Sequence, residues 1–318
     1  MILASIDIGT NTTRLLIVEA NTPSSFRRIY SDRVITRLGG GFSQNGRITY
    51  DAMERVRRVL SDFKDKIDNY KCEKVSAVAT SVVREAKNRD EFIKKVRERT
   101  GIEIEVISWQ EEARRTLLGV FMGIPNHIES GLVYDIGGGS TEFILTKGRR
   151  PVRFFGTDLG VVHLAERYIY SDPIKEDEYK RLEEEIEKKI LKVRSEIYCQ
   201  REEVIGYEGE FKLIGTAGTI TTLAAIDMDL FPYDSSKING HIISINRINE
   251  ILNDLMSRTL EERRDIPSIE RGREDIIIPG SIIVIKTMEI LGFEEMIVSD
   301  FGLREGIILN MLERGDLQ

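Results

Sequence analysis

Apolar residues recur along this chain with two periods. Over 51–67 they fall at 52, 53, 56, 59, 60, 63 and 67, the stripe of an amphipathic helix. The same spacing predicts a helix over 90–99, closed by Gly101. It also predicts a long helix over 176–203, apolar at 179, 182, 186, 190, 193 and 197, whose dense Glu and Lys content reads as a solvated face. Residues 276–291 are apolar nearly all round and predict a buried helix; 303–312 predict a terminal one. Short β-rich runs predict strands at 75–80, 102–108 and 297–299. Strands alternating with helices in this way predict an α/β fold.

One pattern occurs twice. Residues 6–17 read Ile-Asp-Ile-Gly-Thr-Asn-Thr-Thr-Arg-Leu-Leu-Ile, and residues 134–145 read Tyr-Asp-Ile-Gly-Gly-Gly-Ser-Thr-Glu-Phe-Ile-Leu. Asp7 maps to Asp135, Gly9 to Gly137, Thr12 to Ser140 and Arg14 to Glu142. Each copy is a β-rich run, an Asp, a polar glycine-bearing tip and a second β-rich run, the signature of a hairpin. The copies lie about one domain length apart, so two similar lobes are expected, each opening on a hairpin. A further glycine turn, Gly215-Thr216-Ala217-Gly218-Thr219, follows a short strand and precedes a helix from Ile220.

Composition narrows the class. The longest apolar stretch, 276–285, is broken by Pro279, Gly280 and Ser281, too short to cross a membrane. The N-terminus lacks the basic flank of a secretory signal. Cys72 and Cys199 are the only cysteines among 318 residues, which suggests neither a disulfide framework nor a zinc site and points to a reducing cytoplasm. A net charge of -7 argues against a nucleic-acid partner. A polyanion met by a local basic cleft remains compatible with it. No Gly-x-x-x-x-Gly-Lys-[Ser/Thr] or Gly-x-Ser-x-Gly pattern is present, so neither a P-loop enzyme nor an α/β-hydrolase is expected.

The hairpin tips are suited to phosphate. Glycine lets backbone N–H groups approach anionic oxygens, and Ser and Thr hydroxyls add donors. An Asp at the end of the preceding strand can hold Mg²⁺ beside them, and Glu142 supplies a second carboxylate in the second copy. Arginines offer planar forks for phosphoryl oxygens. Arg149, Arg150 and Arg153 read as a solvated hairpin rim.

These motifs resemble the actin-like ATPase superfamily and, within it, the exopolyphosphatase / guanosine pentaphosphate phosphohydrolase (Ppx/GppA) family. The resemblance rests on residues 6–12, Ala79-Thr80-Ser81-Val82-Val83-Arg84-Glu85-Ala86, 106–114 with Gln110-Glu111-Glu112-Ala113, 135–142, 215–219, Arg273-Glu274-Asp275 with Pro279-Gly280, and 299–306. Trp109 departs from it, standing where many relatives carry Gly. The resemblance implies that Glu112 is the catalytic carboxylate. A Glu just after a strand, in the first turn of a helix, is placed to position or deprotonate a water. Glu111 points about 100° away on that helix, so only one of the two can face the substrate.

The site expected on this basis has Glu112 as catalytic residue. Thr10, Asn11, Thr12, Arg14, Arg84, Gly137, Gly138, Gly139, Ser140, Gly218, Thr219 and Arg273 bind substrate phosphate, and Asp135 and Glu142 hold Mg²⁺ or Mn²⁺. Arg304 is expected to be structural. The implied fold is α/β, two ribonuclease-H-like domains with the active site in the cleft between them, over 1–124 plus 301–318 and over 125–300. The implied reaction is metal-assisted attack of water on a terminal phosphoanhydride of inorganic polyphosphate or guanosine pentaphosphate, in the cytoplasm, with no nucleic-acid or membrane partner; homodimerisation stays open. An actin-like ATP-dependent kinase or ATPase, and a non-catalytic binder of guanosine tetra- or pentaphosphate, are the competing readings.

Overall fold

The first copy of the repeat opens the chain as a hairpin. In the computed structural model, which describes residues 1–22, 25–199 and 211–313, β1 (Ile2–Ile8) pairs antiparallel with β2 (Thr12–Thr22), and β2 with β3 (Ser25–Ile35). After α1 (Phe42–Asn45) and α2 (Tyr50–Asn69), β4 (Lys74–Ala79) lies parallel to β1. Then α3 (Ser81–Glu85) and α4 (Arg89–Thr100) lead to β5 (Ile104–Val106), parallel to β4, and to α5 (Trp109–Gly123). The sheet order is β3-β2-β1-β4-β5.

The second copy starts a second sheet. A meander of β6 (Gly131–Ile136), β7 (Thr141–Lys147) and β8 (Arg150–Thr157) is followed by α6 (Val161–Tyr168) and α7 (Glu176–Cys199). β9 (Lys212–Thr216) lies parallel to β6 and leads into α8 (Gly218–Asp227). Next come α9 (Ser235–Ile238), β10 (Ile242–Ser244), α10 (Ile245–Ser257), α11 (Leu260–Arg264), α12 (Ile277–Leu291) and β11 (Glu295–Ser299). The order is β10-β11-β9-β6-β7-β8, the first sheet's pattern with one antiparallel strand added at the edge. The chain closes with α13 (Leu303–Glu313).

The chain thus forms two ribonuclease-H-like units, the fold expected of an actin-like ATPase. One comprises Met1–Gly119 and the stretch from Gly302; the other is Val120–Phe301.

Strand alternation builds each core. In the first unit Ala4, Ile6, Ile8, Leu15 and Ile17 meet Val56, Leu60 and Phe63 of α2 and Phe92 and Val96 of α4. Leu3, Leu16 and Val18 point the other way, onto Ile307, Ile308 and Met311 of α13. In the second unit the predicted stripe of α7, Leu182, Ile186, Ile190 and Val193, joins Tyr134, Phe143, Ile220 and the buried run of α12. Complete burial explains why α12 is apolar nearly all round.

Several boundaries move. The helix expected over 176–203 is observed to Cys199; 200–203 lie outside the described residues. The strand expected over 102–108 shrinks to β5, because Ile102 N donates to Thr100 Oγ1 at 3.2 Å and the β4 ladder starts only at Ile104. Arg149 is no solvated rim: its guanidinium donates to the carbonyls of Phe121, Pro125 and Ile128, at 3.1, 2.7 and 3.2 Å. Among the described residues no helix is long and apolar enough to cross a membrane.

Candidate active site

Parallel strands aim their C-terminal ends the same way, and loops leaving those ends are the usual ligand site of an open α/β sheet. In the first unit Ile8 is in register with Ala79, and Ala79 with Val106. The residues after β1, β4 and β5 therefore gather at one edge, and they include every first-unit residue predicted for the site.

The β1–β2 tip is held by its own backbone. Gly9 N donates to Thr12 O at 3.0 Å, Gly39 N to Thr10 O at 2.8 Å, and Thr36 N and Arg37 N to Asn11 O at 2.9 and 2.8 Å. Gly39 is required there, because a Cβ on it would overlap the Thr10 side chain. Thr10, Asn11 and Thr12 are all buried, and the Asn11 amide nitrogen has no hydrogen-bond partner among the described residues. A buried amide donor left unmatched is complementary to an incoming oxygen.

Arg14 lies directly across from Asp7 in the β1–β2 register, its Nη1 3.4 Å from Asp7 Oδ2. Burial pushes the Asp7 carboxyl up, against the opposing charges of Arg14 and Arg304. Sequence reasoning gave Asp7 no partner, although its place opposite Arg14 follows from the hairpin. Arg304 behaves as a structural residue: it donates to Glu305 and, at 3.0 Å, to Ser31 Oγ.

Arg84 and Glu112 come together. Arg84 lies in the last turn of α3, and its Nη1 donates to Glu112 Oε2 at 2.9 Å and to the Ile107 carbonyl at 3.1 Å. Glu112 sits in the first turn of α5, where its N–H donates to Ser108 O at 2.9 Å and Glu111 N–H to Ser108 Oγ at 3.2 Å. The helix thus begins cleanly with Trp109 in its first position. Glu111 faces elsewhere, accepting from Arg114 at 2.9 Å and from Arg115 Nε at 2.7 Å. Arg114 foremost, and Arg115 with it, hold Glu111 down to about 2. Arg115, 1% exposed, also forks onto Glu105. The two adjacent glutamates are thereby divided between a structural cluster and the strand-end edge.

The second unit repeats the geometry with different chemistry. Asp135 and Glu142 stand opposite each other across β6 and β7, the register of Asp7 and Arg14. Gly137 N donates to Ser140 O at 2.9 Å, closing the tip. The Gly137 and Gly138 carbonyls accept from Val161 and Val162 at the start of α6, and Gly139 lies close under Gly160. Two carbonyl oxygens of the Gly137–Ser140 tip are thereby occupied by the first amides of α6.

Asp135 is in register with Thr216, so the Gly218 turn leaves the same sheet edge. Ala217 there has φ 77° and ψ 178°, a conformation normally reserved for glycine. Gly218 packs against the Arg273 guanidinium so closely that a Cβ would overlap it. Arg273 is 5% exposed, and its Nε donates to Glu270 at 3.0 Å. Thr219 is buried beside Gly280 of α12. Gly137–Ser140, Gly218, Thr219 and Arg273 are thus collected around one edge of this unit, with the two carboxylates.

The metal expectation fits this donor set. Two carboxylates facing each other from adjacent strands, Glu142 of them 3% exposed, offer hard oxygens, and Mg²⁺ takes one or two such ligands with water and substrate oxygens completing its shell. Among the described residues no group of three or more His, Cys, Asp or Glu side chains is placed to hold a metal ion.

Comparison with known proteins bears on the family and the fold. Residues 17–315 match the Ppx/GppA phosphatase family. The chain is 32% identical over 318 residues, 98% of its length, to a bifunctional 3-dehydroquinate synthase/phosphatase of Fusobacterium nucleatum, and spans 46% of that relative, about half. It is 29% identical, over 97% of its length and 98% of the relative's, to exopolyphosphatase 2 of Mycobacterium tuberculosis. Among solved structures, an Aquifex aeolicus Ppx/GppA family member is similar at TM-score 0.79 and 33% identity, covering 99% of this chain and 98% of that one. An exopolyphosphatase from Cytophaga hutchinsonii is similar at TM-score 0.90 and 26% identity, with coverage of 99% and 98%.

Proposed function

The chain belongs to the Ppx/GppA phosphatase family, a family of phosphohydrolases, and from that premise we propose that it releases terminal phosphate from inorganic polyphosphate by direct attack of water. The observation that carries this reading is Glu112, held 2.9 Å from Arg84 at the strand-end edge that also presents the unmatched Asn11 amide.

In this mechanism the substrate's terminal phosphoryl oxygens are met in the first unit by Asn11, the Thr10 and Thr12 tip, Arg14 and Arg84. The second unit carries at its own strand-end edge a further set of phosphate donors, those of Gly137–Ser140, Gly218, Thr219 and the Arg273 guanidinium. Glu112 accepts a proton from the attacking water as the new P–O bond forms. The bond to the bridging oxygen breaks, and that oxygen leaves on the shortened chain. Asp135 and Glu142 would hold Mg²⁺ or Mn²⁺, and the bound ion would supply positive charge to offset that of the phosphoryl oxygens. Arg84 has two tasks, orienting Glu112 and gripping phosphate, and its two-pronged guanidinium suits both.

Phosphate release from long polyphosphate and from guanosine pentaphosphate, measured side by side with Mg²⁺, tests the reading. Turnover of polyphosphate supports it. Turnover of guanosine pentaphosphate alone reassigns the substrate, and turnover of neither overturns it.

A further inference from the structure

Besides Asn11, one more buried polar group at the first unit's strand-end edge has no partner among the described residues: the Ser81 hydroxyl. Ser81 is 3% exposed and Asn11 7%. The two are neighbours in the topology. Ser81 opens α3 just beyond Ala79, Asn11 follows Ile8, and Ile8 and Ala79 are register partners. Thr80 N also donates to Ile8 O at 3.3 Å, tying the two strand ends together. One helical turn past Ser81, Arg84 carries the contact to Glu112.

Buried hydroxyls ordinarily bond to a nearby backbone carbonyl or cap an amide. Ser81 does neither: the Thr80 carbonyl is taken by Arg84 N at 2.9 Å, and α3 has no side-chain cap. An unmatched hydroxyl, an unmatched amide and a guanidinium at one sheet edge form a set of donors. A tetrahedral oxyanion is the ligand chemistry that uses all three.

Resting on the hydrolase reading above, we propose that Ser81 is a further substrate-binding residue, its hydroxyl donating to a nonbridging oxygen of the terminal phosphoryl group beside the one held by Asn11. The free protein gains nothing from this hydroxyl, so its contribution is made only when phosphate is bound.

The test is Ser81→Ala in the full chain, read three ways: thermal midpoint without ligand, affinity for inorganic phosphate with Mg²⁺ by calorimetry, and kcat/KM on polyphosphate. The expected result is a midpoint at or above wild type, with phosphate affinity and kcat/KM each lower by about 10- to 100-fold, the worth of a hydrogen bond to a charged group. Unchanged phosphate affinity overturns the proposal, whether or not the midpoint falls, because the hydroxyl is then structural or idle. A wild type that binds phosphate but hydrolyses neither polyphosphate nor guanosine pentaphosphate sinks the hydrolase reading alone, and the phosphate titration still decides Ser81.

Discussion

Arg84 and Glu112 meet through one charge-assisted hydrogen bond, Nη1 to Oε2 at 2.9 Å, with the same nitrogen reaching the Ile107 carbonyl at 3.1 Å. They come from different strand–helix turns, so the contact exists only because β4 and β5 run parallel in register. Arg84→Lys keeps the charge but loses the fork, and a single ammonium cannot serve carboxylate and phosphate together. Steady-state kinetics on polyphosphate should show kcat/KM lower by about 10- to 100-fold, equivalent to about 1.5–3 kcal/mol. An active Arg84→Lys enzyme would separate Arg84 from both tasks.

Asp135 and Glu142 should govern metal dependence. Removing either leaves one carboxylate where two face each other across the hairpin. Asp135→Ala and Glu142→Ala should each shift the Mg²⁺ activation curve to higher concentration, about tenfold or more, as expected when a ligand to a metal is lost. Superimposable titrations for wild type and both variants contradict the assignment.

Glu111 makes a stability prediction with a defined sign. Hydrogen bonds from Arg114 and then Arg115 lower it to about 2 from an ordinary 4.5, against the effect of burial. A folded value below the unfolded one means its stabilisation is complete above about pH 4.5 and disappears as pH falls towards 2. Glu111→Gln should therefore unfold at lower denaturant than wild type at pH 7, by about 1–3 kcal/mol, because Arg115 is buried and loses one of two carboxylate partners. The gap between the two proteins should close on acidification through that window. A constant gap from pH 7 to pH 2 contradicts the role.

Much of this is legible in the sequence. The repeat aligns Asp7 with Asp135 and Arg14 with Glu142, and a two-residue period with a short tip dictates that each hairpin sets its own pair face to face. The division of Glu111 from Glu112 follows from the 100° step of a helix. The third strands, β3 and β8, are not legible. β3 is an edge strand carrying Arg27, Arg28, Asp32 and Arg33, and a register shift beside Ile17 and Val18 disturbs its pairing with β2. β8 begins Arg-Pro, a pair that suits an edge and masks a strand. Charge alone groups Arg149 with Arg150 and Arg153, yet only folding brings the carbonyls of 121, 125 and 128 within its reach. The Ser81 hydroxyl cannot be found from sequence, since what distinguishes it is the lack of a partner among the described residues.

Ala217 holds a conformation that costs about 1–3 kcal/mol outside glycine, at the entrance to the Gly218 turn. Ala217→Gly removes that strain and adds about 0.5–1 kcal/mol of chain entropy to be lost on folding. A net stabilisation of about 1 kcal/mol is expected in chemical denaturation. Destabilisation by Ala217→Gly would mean that the turn holds alanine without strain.

The assignment of Glu112 as the group that takes the proton from water is tested most directly by Glu112→Gln. The amide preserves shape and can still face Arg84, but it cannot accept the proton. Phosphate release from polyphosphate at saturating substrate and Mg²⁺ should fall by about 10²- to 10⁴-fold, with inorganic phosphate binding nearly unchanged. A Glu112→Gln enzyme retaining more than about a tenth of wild-type turnover contradicts the account.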